Sequence, residues 1–295
     1  MNTNYKNQFK TAAVAFVLAT TFLSSCKKDE KEPEKIIPVR PVTPTSSMYV
    51  TDLFEFLPAP GQFINKTPGN MESAQGILGK KGMVSLGSWG GFIVLGFDHT
   101  VTNQADKEDI IVYGNAMSNF AEPGIIWVMQ DENGNGKPDD TWYEVIGSEF
   151  AGGDYIRNYE VTFTKPDPIT NPVPWKDNKG NTGVIQTNRY HTQSYFPAWI
   201  QGNTYTLKGS LLSAKNIDMG IPTYITSAPF AWGYADNTPG GDKIDIANAI
   251  DKDGKKITLA GIDFIKIQTG VQANMGLLGE LSTEVIGVAD ASLVK

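Results

Sequence analysis

The chain has 295 residues, 40% of them hydrophobic and 19% charged, a composition typical of a globular protein rather than of a disordered or coiled-coil one. It has 32 acidic and 25 basic residues, a net charge of −7. Residues 1–25 hold two of the lysines and no acid, so the remainder carries −9. This acidity disfavours binding to nucleic acid or to an anionic lipid surface, because both need a basic face.

The N-terminal residues have the layout of a secretory signal peptide. Two lysines precede an apolar run over 11–23, which is shorter than a spanning helix and ends in small residues. The only cysteine, Cys26, follows, and Leu23–Cys26 (LSSC) resembles the signal of a bacterial lipoprotein, in which the cysteine becomes the lipid-bearing first residue. We predict a signal peptide over 1–25, lipidation at Cys26, and a membrane attachment made only by that lipid.

Residues 26–47 are predicted to form a disordered tether below a folded domain at 48–295. Lys28–Glu30 (KDE) resembles the short signal that directs lipoproteins of Bacteroidota to the outer face of the outer membrane. The alternative for this motif is a solvated charge run. Four prolines between 33 and 44 favour extended backbone. We therefore expect a lipid-anchored outer-membrane protein that is exposed at the cell surface.

The rest of the chain has a β pattern, with short apolar and β-branched runs bounded by Gly, Pro, Asn or Asp. The sequence predicts a short helix over Met71–Leu78, and Lys165–Thr182 and Tyr234–Lys243 have the composition of loops. We predict an all-β domain, an antiparallel β-sandwich or jelly roll, because helical crossovers are missing from the pattern. The predicted strands are Gly91–Phe97, Asp109–Tyr113, Gly124–Met129, Trp142–Ile146, Tyr159–Thr164, Thr204–Lys208, Ile257–Leu259 and Ile262–Gln268.

An acidic loop (residues 131–140, DENGNGKPDD) separates two predicted strands and indicates a structural calcium site. Oxygen-bearing side chains fall at loop positions one, three and five, with glycine at six, as a hard cation with several oxygen ligands requires. The pattern fails at position twelve, where Trp142 replaces the usual glutamate. The alternative is an Asn-Gly hairpin turn with solvated acids. The candidate ligands are Asp131, Asn133, Asn135, Lys137 through its carbonyl, Asp139 and Asp140.

Motifs for catalysis are missing from the sequence. It contains no G-x-S-x-G or H-E-x-x-H motif, and its glycine-rich strings do not open a helix as phosphate-binding loops do. Of the two histidines, His99 follows Asp98 and is predicted to form a local hydrogen bond. We predict a binding protein rather than an enzyme, with no catalytic residue.

Two aromatic segments, 189–199 and 230–237, give the strongest remaining signal. Rings beside amides and hydroxyls suit a sugar or a planar polar ligand, because the ring faces stack and the polar groups orient. The alternative for any one ring is a place in the sandwich core. The candidate ligand-binding residues are Trp89, His191, Tyr195, Trp199, Trp232, Tyr234, Asp236 and Asn237.

Several motifs resemble, in order, a family of Bacteroidota cell-surface lipoprotein domains found in vitamin B12 uptake gene clusters. They are Leu57–Asn65, Val84–Asp98, Asn133–Glu144 and Phe230–Asn237, and the resemblance spans nearly all of 49–290. It implies a surface protein that binds a corrinoid such as cobalamin and passes it to a TonB-dependent outer-membrane transporter. No ligand residue is carried over from the family.

A corrinoid is large, roughly planar, fringed with amides and of little net charge, so an acidic protein does not repel it. His191 is a weak candidate for a cobalt ligand. A carbohydrate-binding jelly roll with the same aromatic residues and a structural calcium is the alternative function. A surface hydrolase is the third.

Overall fold

The computed structural model describes residues 37–220 and 224–295. The predicted signal peptide, the lipidation site Cys26 and the Lys28–Glu30 motif lie outside the described residues. In the described ranges the chain forms one short α-helix, α1 (Met71–Gln75), which Asn70 caps by accepting the Ser73 N–H. No helix of these ranges has the length and apolarity to cross a membrane.

Apart from three single-turn 3₁₀ helices, Ile246–Asn248, Gly276–Leu278 and Ala291–Leu293, the remaining regular structure of the described ranges is antiparallel β-sheet. A six-stranded central sheet has the order β1 (Asp52–Leu57), β3 (Phe92–Thr102), β15 (Gly261–Thr269), β5 (Gly124–Met129), β6 (Tyr143–Val145), β14 (Ala249–Ile250). The β4 sheet has the order β13 (Asp242–Ile244), β4 (Ile110–Gly114), β16 (Glu284–Asp290), β2 (Val84–Ser85). The β7 sheet has the order β10 (Thr204–Leu211), β7 (Ile156–Thr164), β8 (Val173–Asp177), β9 (Thr182–Ile185). A small ribbon pairs β11 (Ile217–Asp218) with β12 (Thr226–Ser227).

Two apolar cores lie on opposite faces of the central sheet. One core joins central-sheet residues such as Leu95 and Ile267 to Val112 and Val288 of the β4 sheet. The other joins central-sheet residues such as Phe92 to residues of the β7 sheet such as Val161 and Leu207. The architecture is therefore three packed layers, and the prediction of an all-β antiparallel sandwich is confirmed.

Strand β15 contributes side chains to both faces of the central sheet. Side chains alternate along a strand, so Ile265 and Ile267 enter the core against the β4 sheet. Lys266 and Gln268 point to the other side, where the Gln268 amide donates to the carbonyl of Lys208 on β10 at 3.0 Å. Lys266 and Gln268 of β15 thus face the β7 sheet.

Several predicted elements need correction. Ile257–Leu259 is not a strand, although Ile257 packs against the core. The predicted loop Lys165–Thr182 contains β8, whose alternation of Val173, Trp175 and Asp177 toward the core is hidden by Pro174 and by the surrounding turn residues. The predicted helix Met71–Leu78 is shortened to α1.

The predicted tether ends earlier than residue 47. Arg40 donates its backbone N–H to Thr100 Oγ1 at 2.9 Å, and its carbonyl accepts the Thr100 N–H at 2.8 Å. Its guanidinium also forms an ion pair with the buried Asp263 at 3.0 Å. The chain is therefore fastened to the central sheet from Arg40 onward, because this arginine satisfies polar groups at the ends of β3 and β15.

Candidate ligand-binding site

Three of the predicted ligand-binding rings are core residues. Trp89 is fully buried, donates its indole N–H to the Ser210 carbonyl at 3.1 Å, and packs edge-on against another core ring. Tyr195 and Tyr234 are also buried, and their hydroxyls accept backbone N–H groups. For these three the core alternative holds, since a ring without exposed faces offers nothing for a ligand to stack on.

The exposed predicted rings lie on different surfaces. Trp199 is 36% exposed and its ring centroid is 6.1 Å from that of Phe56. Trp232 is 48% exposed and lines a separate concavity of about 260 Å³ with Lys107 and Asp245. His191 lies 3.0 Å from Lys66 Nζ, and burial followed by this lysine lowers its pKa. The structure does not assemble the two aromatic segments into one site.

Asp236 and Asn237 line another concavity of about 260 Å³. Both are almost fully buried, and within the described chain Asp236 Oδ1 and Asn237 Oδ1 have no hydrogen-bond partner. The Asn237 amide donates to Glu122 at 3.0 Å. Burial, and then the charge of Asp242, raise the pKa of Asp236 to about 8. These two residues belong to a buried polar cluster, apart from the predicted tryptophans.

The acidic loop closes on itself through hydrogen bonds. The buried Asp131 carboxylate accepts the N–H groups of Asn135 at 3.1 Å and Gly136 at 2.8 Å. Hydrogen bonds from Asn133 and then Asn135 lower the pKa of Asp139. Gly136, with φ at +71°, permits the tight turn.

The donor types of this loop fit a hard cation, because carboxylate and amide oxygens gather around one turn. Asp140 is engaged elsewhere, accepting the Glu132 N–H at 2.9 Å, and the Lys137 N–H donates to Asn135 Oδ1 at 2.8 Å. Across residues 37–220 and 224–295, no cluster of three or more His, Cys, Asp or Glu has the arrangement of a metal site. The calcium site stays a prediction.

The outer face of the β7 sheet carries a broad concavity of about 790 Å³, here called the outer groove. Alternation along the strands turns hydroxyl and charged side chains outward while the apolar ones enter the core. The Thr162 and Thr206 hydroxyls lie 2.7 Å apart, and Lys208 Nζ pairs with Glu160 at 2.7 Å. The lining residues include Glu160, Thr162, Thr164, Lys176, Thr182 and Val184.

A second concavity of about 330 Å³, the tryptophan pocket, adjoins the outer groove, and Glu160 lines both. Its walls carry two half-buried indoles together with charged side chains from the central and β7 sheets. The principal lining residues are Trp127, Trp142, Glu144, Arg157, Lys208 and Lys266.

Strand register explains how this pocket is assembled. Lys266 on β15 pairs with Trp127 on β5, which pairs in turn with Glu144 on β6. Paired residues of an antiparallel sheet point to the same face, so the three side chains form a row. Arg157 reaches this row from the β7 sheet, its Nε 3.0 Å from Glu144 Oε2.

Sequence reasoning did not predict the residues of the tryptophan pocket. Trp127 lies within the correctly predicted strand Gly124–Met129, where a tryptophan looks like a core residue. The one available signal was Lys266, a lysine inside the apolar strand Ile262–Gln268, since a charged residue at an inward position needs a partner or a ligand.

Comparison of the chain with protein-family models gives no match, and comparison with curated proteins gives none either. The candidate site therefore rests on its own geometry.

Proposed function

We propose that this protein is a surface-exposed outer-membrane lipoprotein that binds a corrinoid for uptake. We place the ligand on the outer groove and the adjoining tryptophan pocket. The protein acts in this proposal as a binding protein rather than an enzyme, and a TonB-dependent transporter is the partner that receives the ligand.

The observation that carries this proposal is the size and lining of the outer groove. A large planar ligand needs a broad open surface, and this groove measures about 790 Å³. Amides at the ligand's edge need both donors and acceptors, which the hydroxyls of Thr162 and Thr182 and the charged ends of Glu160 and Lys176 supply. The resemblance to corrinoid-uptake lipoproteins points to the same ligand class.

A glycan is the second candidate, favoured by the indoles of the tryptophan pocket. Trp127 and Trp142 line the same cleft, and exposed tryptophan faces stack well on sugar rings. The outer groove would then hold further sugar units along β7 and β8. The two candidates share one surface, so one set of variants tests both.

Isothermal titration with cyanocobalamin and with a glycan panel tests the proposal. Thr162→Arg places a long side chain in the groove, so we expect it to abolish corrinoid binding. The matched control is Thr102→Arg, at an exposed position at the end of β3 that does not line the groove. Absence of cyanocobalamin binding by the folded wild type, with binding of a glycan, would replace the corrinoid proposal by the second candidate.

The anchor is tested separately, because its residues lie outside the described ranges. Cys26→Ala should eliminate the lipid, and replacement of Lys28, Asp29 and Glu30 by alanine should keep the lipid but lower surface exposure. Mass spectrometry and protease access to intact cells report the two effects. A Cys26→Ala protein that still carries a lipid contradicts the lipoprotein proposal.

We further propose that calcium holds the acidic loop through Asp131, Asn133, Asn135 and Asp139. The convergence of these oxygen-bearing side chains on a glycine-containing turn supports this. The role is structural, since the loop lies outside the outer groove and the tryptophan pocket.

A further inference from the structure

Lys266 is half-buried, and within the described ranges its ammonium forms no ion pair with a carboxylate. It lies over the Phe92 ring, 4.2 Å from its centroid, and 5.0 Å from the Trp127 centroid. Among the residues that the structure describes, no side chain or carbonyl forms a hydrogen bond or ion pair with it. Aromatic faces attract a cation, but they give back only part of the hydration lost on burial.

Glu144, the acid in the same row of side chains as Lys266 and Trp127, already has hydrogen-bond partners for both of its carboxylate oxygens. Its two oxygens accept the Tyr155 hydroxyl and the Arg157 Nε–H. The Nη atoms of Arg157 donate to the backbone carbonyls of Asp251 and Lys252, at 3.0 and 3.2 Å. Glu144 and Arg157 therefore satisfy each other, and Glu144 attracts Lys266 without forming an ion pair with it.

Glu55 on β1 also attracts the Lys266 ammonium, but it forms no ion pair with it either. Lys208 pairs with Glu160 at the boundary with the outer groove, and the exposed Lys252 pairs with Asp253 at 2.8 Å. In a chain of net charge −7, the described part of the pocket thus holds an inward-facing lysine that forms no ion pair. Burial lowers the pKa of Lys266 to about 8, as expected for an ammonium without a partner.

We propose that the tryptophan pocket is a subsite for an anionic group attached to a flat ring, with Lys266 contacting the anion and Trp127 and Trp142 contacting the ring. The inference rests on the proposed function, which places the ligand on this surface. A pocket of about 330 Å³ admits one ring and one anionic group, while the bulk of a larger ligand occupies the outer groove beyond Glu160.

Two ligands supply this chemistry. In a corrinoid it is the phosphodiester beside the benzimidazole base, and in a glycan it is the carboxylate of a uronic acid. Cobinamide is the informative probe for the first, because it has the corrin ring but lacks the phosphodiester and the base. An oligogalacturonate is the probe for the second.

Lys266→Met is the test variant, measured by isothermal titration with each probe. Methionine keeps an unbranched apolar stem between the rings and removes the charge, so we expect an unchanged or higher melting temperature. We expect the variant to bind cyanocobalamin about ten-fold more weakly, the effect of losing one charge-assisted contact, and to bind cobinamide as the wild type does. Added salt should weaken wild-type cyanocobalamin binding and leave the variant unaffected.

Lys255→Met is the matched control, because it removes the same charge from an exposed position of a neighbouring turn that does not line the pocket. We expect its cyanocobalamin affinity to stay within about two-fold of the wild type, as for other exposed charges. An equal loss in both variants would assign the effect to general attraction rather than to Lys266, and would overturn the inference.

The outcomes separate this inference from the proposed function. Tight cyanocobalamin binding that Lys266→Met leaves unchanged overturns the anionic subsite and keeps corrinoid binding. Absence of cyanocobalamin binding, with oligogalacturonate binding that depends on Lys266, overturns the corrinoid proposal and supports the subsite. If neither probe depends on Lys266, the inference is wrong.

Discussion

The two faces of the central sheet are built from the same strands and differ in chemistry. Against the β4 sheet, residues such as Leu95, Val128 and Ile265 form a fully buried aliphatic layer. Against the β7 sheet, the same strands contribute Trp127, Lys266 and other polar or aromatic groups. The first face joins the central sheet to the β4 sheet, whereas the second combines an apolar core against the β7 sheet with the polar groups that line the tryptophan pocket.

The largest expected effect belongs to the aliphatic face. Ile265→Ala should lower the free energy of unfolding by about 2–5 kcal/mol, because it removes a fully buried side chain and leaves a cavity. Chemical denaturation measures this, with Val184→Ala at an exposed position of the outer groove as control, expected within about 0.5 kcal/mol of the wild type. Similar losses in both variants would mean that the two surfaces do not differ as described.

The next effect is the pH dependence that Lys266 confers on stability. Burial lowers its pKa from 10.5 to about 8, opposed by the charges of Glu55 and Glu144, so between these values the unfolded chain binds a proton that the folded chain lacks. Stability of the wild type relative to Lys266→Met should therefore rise as pH increases from 8 to 10.5, by at most about 3 kcal/mol. Denaturation at several pH values checks this. If the difference in unfolding free energy between the two proteins did not change with pH, the Lys266 ammonium would be as hydrated in the folded protein as in the unfolded chain.

The acidic loop offers a smaller effect at the end of β5, outside both faces. If calcium binds only the folded state, it stabilises by about 2.7 kcal/mol at ~100-fold excess over Kd, so a chelator should lower the melting temperature. Asp131→Ala should eliminate this response, and Asp253→Ala, at an exposed acid in another turn, should keep it. A melting temperature that changes neither with calcium nor with chelator would favour the hydrogen-bonded hairpin turn.

The smallest expected effect on stability concerns the tryptophans. Trp142→Ala should cost about 1 kcal/mol of stability or less, because the ring is only partly buried, yet should weaken cyanocobalamin binding about ten-fold. Trp232→Ala, on a different concavity, should change neither quantity measurably. If Trp232→Ala weakened cyanocobalamin binding and Trp142→Ala did not, the ligand site would instead lie at the concavity that Trp232 lines with Asp245 and Lys107.

The sequence predicted some of the strands but missed others, and it did not predict the tryptophan pocket. The run Gly124–Met129 is apolar and β-branched, and it coincides with β5 as observed. β16 escaped prediction because Glu284 and Gly287 interrupt its apolar pattern, although tertiary contacts bury most of the strand.

The site depends on strand register, which local composition does not encode. Trp127 and Lys266 are far apart in the chain and become neighbours only when β5 pairs with β15. Conversely, the dense aromatic run 189–199 looks like a binding surface in sequence, but Tyr195 and Phe196 are buried in the core beside the β7 sheet. A dense run of aromatic residues in the sequence is therefore as consistent with a buried core segment as with a ligand-binding surface.

The contacts of Arg40 limit how far the folded domain can lie from a lipid attached at Cys26. Only about 13 residues separate Cys26 from this arginine, and an extended chain spans at most ~3.6 Å per residue, so a lipid at Cys26 would keep Arg40 within roughly 50 Å of the bilayer surface. Pro38 packs near Gly134, which places the acidic loop beside the point of attachment. A lipid at Cys26 would thus keep this loop within a similar distance of the bilayer surface.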